Sequence, residues 1–114
     1  MELIGDLDNK LFMRCKTANV ATSTDLKNLY HDLIEMCENE YKPLMYLGMK
    51  KTAVKLILDE VFESWDSFAK MCLKEEDKFL HSFGEFCQEN TFKELLLSND
   101  KMAKLYESLS DNIN

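Results

Sequence analysis

The sequence predicts an all-α fold: a compact bundle of five to six amphipathic helices around a hydrophobic central helix. Two observations carry this expectation. Val54, Leu58, Val61, Trp65, Phe68 and Cys72 follow one another at alternating three- and four-residue steps, the spacing of one face of a helix that repeats every ~3.6 residues. Pro43 is the only proline, and Gly5, Gly48 and Gly84 are the only glycines. A β-protein would spend many more of both on its turns. At 114 residues, 46% hydrophobic and 31% charged, the chain has the length and apolar content of one domain, residues 1–114, with a closed core.

The elements follow in order. A first helix is expected over 6–18, capped by Asp6, with Ile4, Leu7, Leu11, Cys15 and Ala18 down one face. Ser23 or Thr24 is expected to cap a second helix reaching about Glu40, and Asp25 places negative charge near its N-terminus. Its stripe is Leu26, Leu29, Tyr30, Leu33, Ile34, Cys37 and Tyr41. Tyr41-Lys42-Pro43 reads as a boundary, because proline disfavours a helical residue before it and suits the first turn of the next helix. The central helix is then expected over 43–63, apolar on all sides at Leu44 to Met49. Gly48 would sit inside it at ~1 kcal/mol relative to alanine, offset by close packing. Breaks are expected at 64–66 and at 74–77. Phe79, Leu80, Phe83, Phe86 and Cys87 resume the stripe up to Asn90. Thr91 with Glu94 makes a capping box for a short helix over 92–97. Asn99 or Asp100 caps a last helix bearing Met102, Leu105, Tyr106 and Leu109, and 110–114 reads as a frayed tail.

Composition argues against several functions. The formal charge is −7, and an acidic surface repels phosphate backbones and anionic lipid. Arg14 is the sole arginine among fourteen basic residues, so bidentate phosphate and guanine contacts are poorly provided for. Lysine bias of this kind follows from an AT-rich coding sequence, such as a viral or microbial one. No apolar run approaches the ~20 residues of a membrane span, so neither nucleic-acid binding nor membrane insertion is expected. The start MELIGDLDNK lacks the basic and apolar stretches of a signal peptide. Cys15, Cys37, Cys72 and Cys87 form no CxxC pair. They read as buried, reduced thiols in an intracellular protein, cytoplasmic or nuclear.

No constellation points to chemistry. His31 with Glu35 and His81 with Glu85 each share a helix face, but both pairs fall off the apolar stripes and read as surface pairs rather than metal ligands. The cysteines lie on the stripes, where thiols are inert. No phosphate-binding, dinucleotide, serine-hydrolase or zinc-protease motif occurs. No catalytic residue, metal ligand or cofactor is expected.

What remains is apolar surplus. The internal methionines read first as gap-fillers in the core. Leu44 to Met49, and Met71 with Leu73, lie outside a single stripe, and Tyr and Met are enriched where proteins meet. Met45, Tyr46, Met49, Met71 and Leu73 are therefore the expected contact residues for a protein partner or a second copy of the chain. The expected function is an intracellular, non-catalytic interaction or regulatory module. The alternatives are a small enzyme or metal carrier using His, Glu or Cys, and a helical piece of a larger solenoid or assembly. Met1 and the polar tail speak against the last.

Overall fold

The computed structural model describes residues 6–111. Ile4 of the expected first stripe, and 112–114 of the expected tail, lie outside the described residues. Among those described there are six helices and no strand: α1 (Leu7–Lys16), α2 (Ser23–Tyr46), α3 (Lys51–Leu73), α4 (Lys78–Glu89), α5 (Phe92–Leu97) and α6 (Asp100–Asp111). The last helix takes in positions 110 and 111, which the sequence assigned to the tail.

Helix α3 is the centre and packs against all five others. Its stripe from Val54 to Cys72 is buried throughout, and Ile57, Phe62 and Ala69 widen the buried face. Burying each large side chain contributes about 1.5–3 kcal/mol relative to leaving it in water. The expected break at 64–66 does not occur, and α3 runs straight through it. Ser64, Asp66 and Ser67 have the chemistry to cap a helix, but they lie off the stripe while Trp65 and Phe68 continue it into the core. Ser67 instead donates its hydroxyl to Asp8 of α1 at 2.8 Å. The break at 74–77 is real, and Asp77 caps α4 by accepting from Leu80 N–H at 2.9 Å.

The boundary at Pro43 is displaced. Helix α2 continues past it to Tyr46, so the central helix begins at Lys51 rather than Pro43. Proline deletes the bond its N–H would give to the carbonyl four residues back. That carbonyl belongs to Asn39, which is exposed, so water can replace the missing donor. The helix stops instead at Gly48, whose φ of 67° is the left-handed C-terminal conformation that favours glycine. The Met49 N–H returns to the Leu44 carbonyl at 3.3 Å, the longer bond of a Schellman stop. Gly48 therefore terminates a helix and is not inside one.

Close helix packing falls to the other internal glycine. A Cβ at Gly84 of α4 would lie 2.8 Å from the Cys72 Cβ and 3.0 Å from the Leu73 nitrogen of α3. The absent side chain lets α4 lie directly on the central helix.

The caps explain where the remaining helices start. Thr22, one residue before the expected Ser23, caps α2. Its hydroxyl accepts from Asp25 N–H at 3.1 Å, and the Asp25 carboxylate accepts in return from Thr22 N–H at 3.1 Å. The Ala21 N–H, which also donates to that carboxylate at 3.0 Å, and the Thr22 N–H hold the Asp25 carboxyl below its ordinary range. Asp6 stands at the N-cap of α1 without a side-chain cap bond. Thr91 accepts from Glu94 N–H at 3.1 Å to start α5, and Asn99 accepts from Met102 N–H at 3.2 Å to start α6. Short α5 is anchored by Phe92, whose ring lies within 6.4 Å of those of Tyr41, Phe62 and Trp65. The sole arginine is spent on structure: Arg14 of α1 pairs with Asp32 of α2 at 2.7 Å.

Candidate functional site

The Schellman stop at Gly48 leaves large apolar side chains exposed on the described surface. It ends α2 while its sequence is still apolar, and α3 restarts only at Lys51. Met45 is left 41% exposed, Tyr46 87% and Leu47 74%, and Leu56 on the first turns of α3 is 51% exposed. At the turn and the start of α3 lies an open cavity of about 520 Å³ lined by Gly48, Met49, Lys50, Thr52, Ala53 and Leu56. Apolar groups left in water at a concave corner favour association, since covering them releases ordered solvent. Leu44 and Met49 are half-buried and pack back onto the core.

The expected contact residues divide between two places. Met45, Tyr46 and Met49 gather at the α2–α3 turn, with Met45 and Tyr46 open to solvent. Met71 and Leu73 are half-buried in the last turn of α3, roughly 30 Å along that helix at 1.5 Å per residue. Sequence reasoning did not single out Leu47 or Leu56. The signal for Leu47 was the glycine beside it, a helix stop rather than a buried kink. No described methionine is in the fully buried core; Met36, Met49 and Met102 pack against its margin and Met13 and Met45 are exposed.

Two other cavities of similar size lie elsewhere on the described surface. One of about 380 Å³ lies between α2, α5 and α6, with Tyr41 and Phe92 in its wall. Burial pushes the Tyr41 phenol up to about 12. The other, about 480 Å³, opens between the C-terminal end of α1 and the α3–α4 turn, beside Cys15 and Leu80.

The four cysteines are free thiols and all are buried. Cys15 of α1 and Cys72 of α3 interact through their side chains. That interaction, followed by burial, drives the Cys15 thiol far above its ordinary range. Burial does the same to Cys37 and Cys87. A thiol held protonated is a poor nucleophile. His81 bridges α4 to α3 through Nδ1 and the Leu73 carbonyl at 3.0 Å, and its Nε2 lies 3.3 Å from Glu85 on the surface. His31 is exposed and meets Tyr30 edge-on. Among the described residues, no three His, Cys, Asp or Glu side chains come together as a metal-holding group, and no helix is long and apolar enough to cross a membrane.

One polar cluster ties α6 to the centre. Asp59 accepts from the Tyr106 hydroxyl at 2.7 Å and from the Lys55 ammonium at 2.6 Å. Lys93 of α5 lies 5.6 Å from the Phe62 ring centroid and 6.0 Å from that of Tyr106. Its parts face neighbouring helices, and its role is to hold α5 and α6 against α3.

No protein-family model, curated protein or solved structure that we compared with the chain matches it. The fold and this surface define an all-α helical bundle with an apolar corner.

Proposed function

We propose that the protein is a non-catalytic, intracellular interaction module that binds a partner protein through the corner formed by the end of α2 and the start of α3. The observation that carries this reading is the exposure of Met45, Tyr46 and Leu47 at the end of α2 and of Leu56 in α3, where Leu56 lines an open concavity at the turn. Met13, Phe86 and Leu95 are the other exposed large hydrophobics, and single exposures of that kind are ordinary. The burial of all four thiols, with Cys15, Cys37 and Cys87 held protonated, and the surface position of the histidines support the non-catalytic part of the reading.

The test compares capture from source cells by the wild type and by Tyr46→Asp/Leu47→Asp, with captured proteins identified by mass spectrometry. The expected result is a partner retained by the wild type and lost by the variant, with circular dichroism and melting temperature unchanged. Identical capture by both proteins would overturn the assignment. So would a wild type that captures nothing.

A further inference from the structure

The exposed corner coincides with a break in the charge pattern of the chain. Acidic residues number 21 in 114, yet residues 41–58 contain none, while carrying Lys42, Lys50, Lys51 and Lys55. This stretch holds Met45, Tyr46, Leu47 and Leu56, four of the seven exposed large hydrophobics among the described residues. Lys42, Lys50 and Lys51 are exposed. Lys42 also pairs with Glu38 at 3.3 Å, and Lys55 with Asp59 at 2.6 Å, which leaves Lys50 of the cavity lining and Lys51, its neighbour in the chain, as the charges at the corner. On a protein of net charge −7, this acid-free stretch, which only residues 9–24 approach in length, thus also carries the most exposed large apolar side chains among the described residues.

We infer that the corner takes an acidic segment of a partner protein, one in which large apolar side chains alternate with Asp or Glu. The inference rests on the interaction-module reading and adds the chemistry of the partner. The partner's apolar side chains cover Tyr46, Leu47 and Leu56, and one enters the cavity lined by Gly48, Met49 and Ala53. Its carboxylates meet Lys50 and Lys51. Charge pairs at a rim set the rate of encounter and reject wrong partners more than they add affinity. Here they would select acidic segments against the repulsion of the rest of the surface. A second copy docking the same corner symmetrically would set lysines against lysines, because a two-fold contact brings each patch onto itself. A bilayer surface is flat and leaves the concavity unfilled, and the net negative charge opposes its approach.

The experiment selects a displayed library of random 16-residue peptides on the full chain. Binding of the enriched peptides is then measured for the wild type, Leu47→Asp and Lys50→Glu/Lys51→Glu, each checked for folding by circular dichroism. Vesicles containing phosphatidylserine are tested in parallel. The expected peptides carry net negative charge and large apolar residues. Their affinity should fall about tenfold in each variant, and it should weaken with added salt in the wild type. Neutral or basic peptides, or affinity indifferent to Lys50→Glu/Lys51→Glu, would overturn the acidic partner while leaving the interaction surface standing. Peptides indifferent to Leu47→Asp would overturn both. Enrichment of no peptide, or binding of the vesicles in place of peptides, would overturn the inference as well.

Discussion

The indole N–H of Trp65 donates to the main-chain carbonyl of Cys87 at 2.9 Å inside the core. Helix α4 ends at Glu89, so the Cys87 carbonyl is one of the last four of its helix and has no donor within it. The central helix supplies one. The only tryptophan is fully buried, and its single polar atom satisfies the end of a neighbouring helix. The same side chain that fills the core thereby fixes how far α4 runs along α3.

Trp65→Phe keeps an aromatic ring but removes the donor and leaves a void. An unsatisfied buried carbonyl and the cavity together should cost about 2–4 kcal/mol, read by chemical denaturation. A loss below ~0.5 kcal/mol would mean that the bond does not hold α4 to α3.

Gly84→Ala gives a prediction of sign. Helix propensity alone would make alanine more stable by ~1 kcal/mol. The new methyl would instead meet Cys72 Cβ at 2.8 Å and the Leu73 nitrogen at 3.0 Å. Overpacking against backbone should win and destabilise by about 1–3 kcal/mol. A more stable variant would show that α3 and α4 are further apart than described.

Leu58 lies in the middle of the central stripe with no solvent exposure. Leu58→Ala should cost about 2–5 kcal/mol, as for other leucines in closed cores. Denaturation within ~0.5 kcal/mol of the wild type would place the stripe on the wrong face of α3.

Acid stability should depend on Asp59. Burial alone would raise its carboxyl, but hydrogen bonds from Lys55 and Tyr106, with the charges of Lys55 and Lys93, outweigh burial and hold it below 3.8. The folded chain thus takes up this proton less readily than the unfolded chain. The stabilisation is complete above 3.8 and disappears as pH falls through the lower folded value. In Asp59→Asn, melting temperature should fall less steeply than in the wild type as pH drops from about 5 to 2. Parallel curves would remove Asp59 from the acid transition.

The four thiols should resist alkylation in the folded protein and react fully once it is denatured, without reductant, since all are free and buried. Mass spectrometry should then show four additions on the denatured chain and none or few on the native one. Fewer than four after denaturation would indicate a disulfide. Rapid native modification would contradict their burial.

Much of this architecture can be read directly from residue spacing. The stripe from Val54 to Cys72 already describes α3, because burial on five sides demands an unbroken apolar face. The expected break at 64–66 came from giving Ser64 and Asp66 more weight than that continuity. The caps at Thr91 and Asn99 follow from local chemistry and stand where expected, and Asp77 caps α4 within the expected break at 74–77. Pro43 misleads because its cost falls on one carbonyl, and at exposed Asn39 that cost is small. The corner was half legible. Met45 and Tyr46 were singled out by being apolar beyond one stripe, whereas Leu47 and Leu56 depended on where α2 stops and how α3 is rotated. Its charge was visible throughout, as a lysine-bearing stretch without one carboxylate.

The most direct test of the proposed role is amide hydrogen exchange of the full chain, alone and saturated with the partner protein recovered from source cells. Slowed exchange should concentrate in residues 44–56, the end of α2, the Gly48 turn and the start of α3. Protection centred on α4 or α5, with residues 44–56 unchanged, would contradict it.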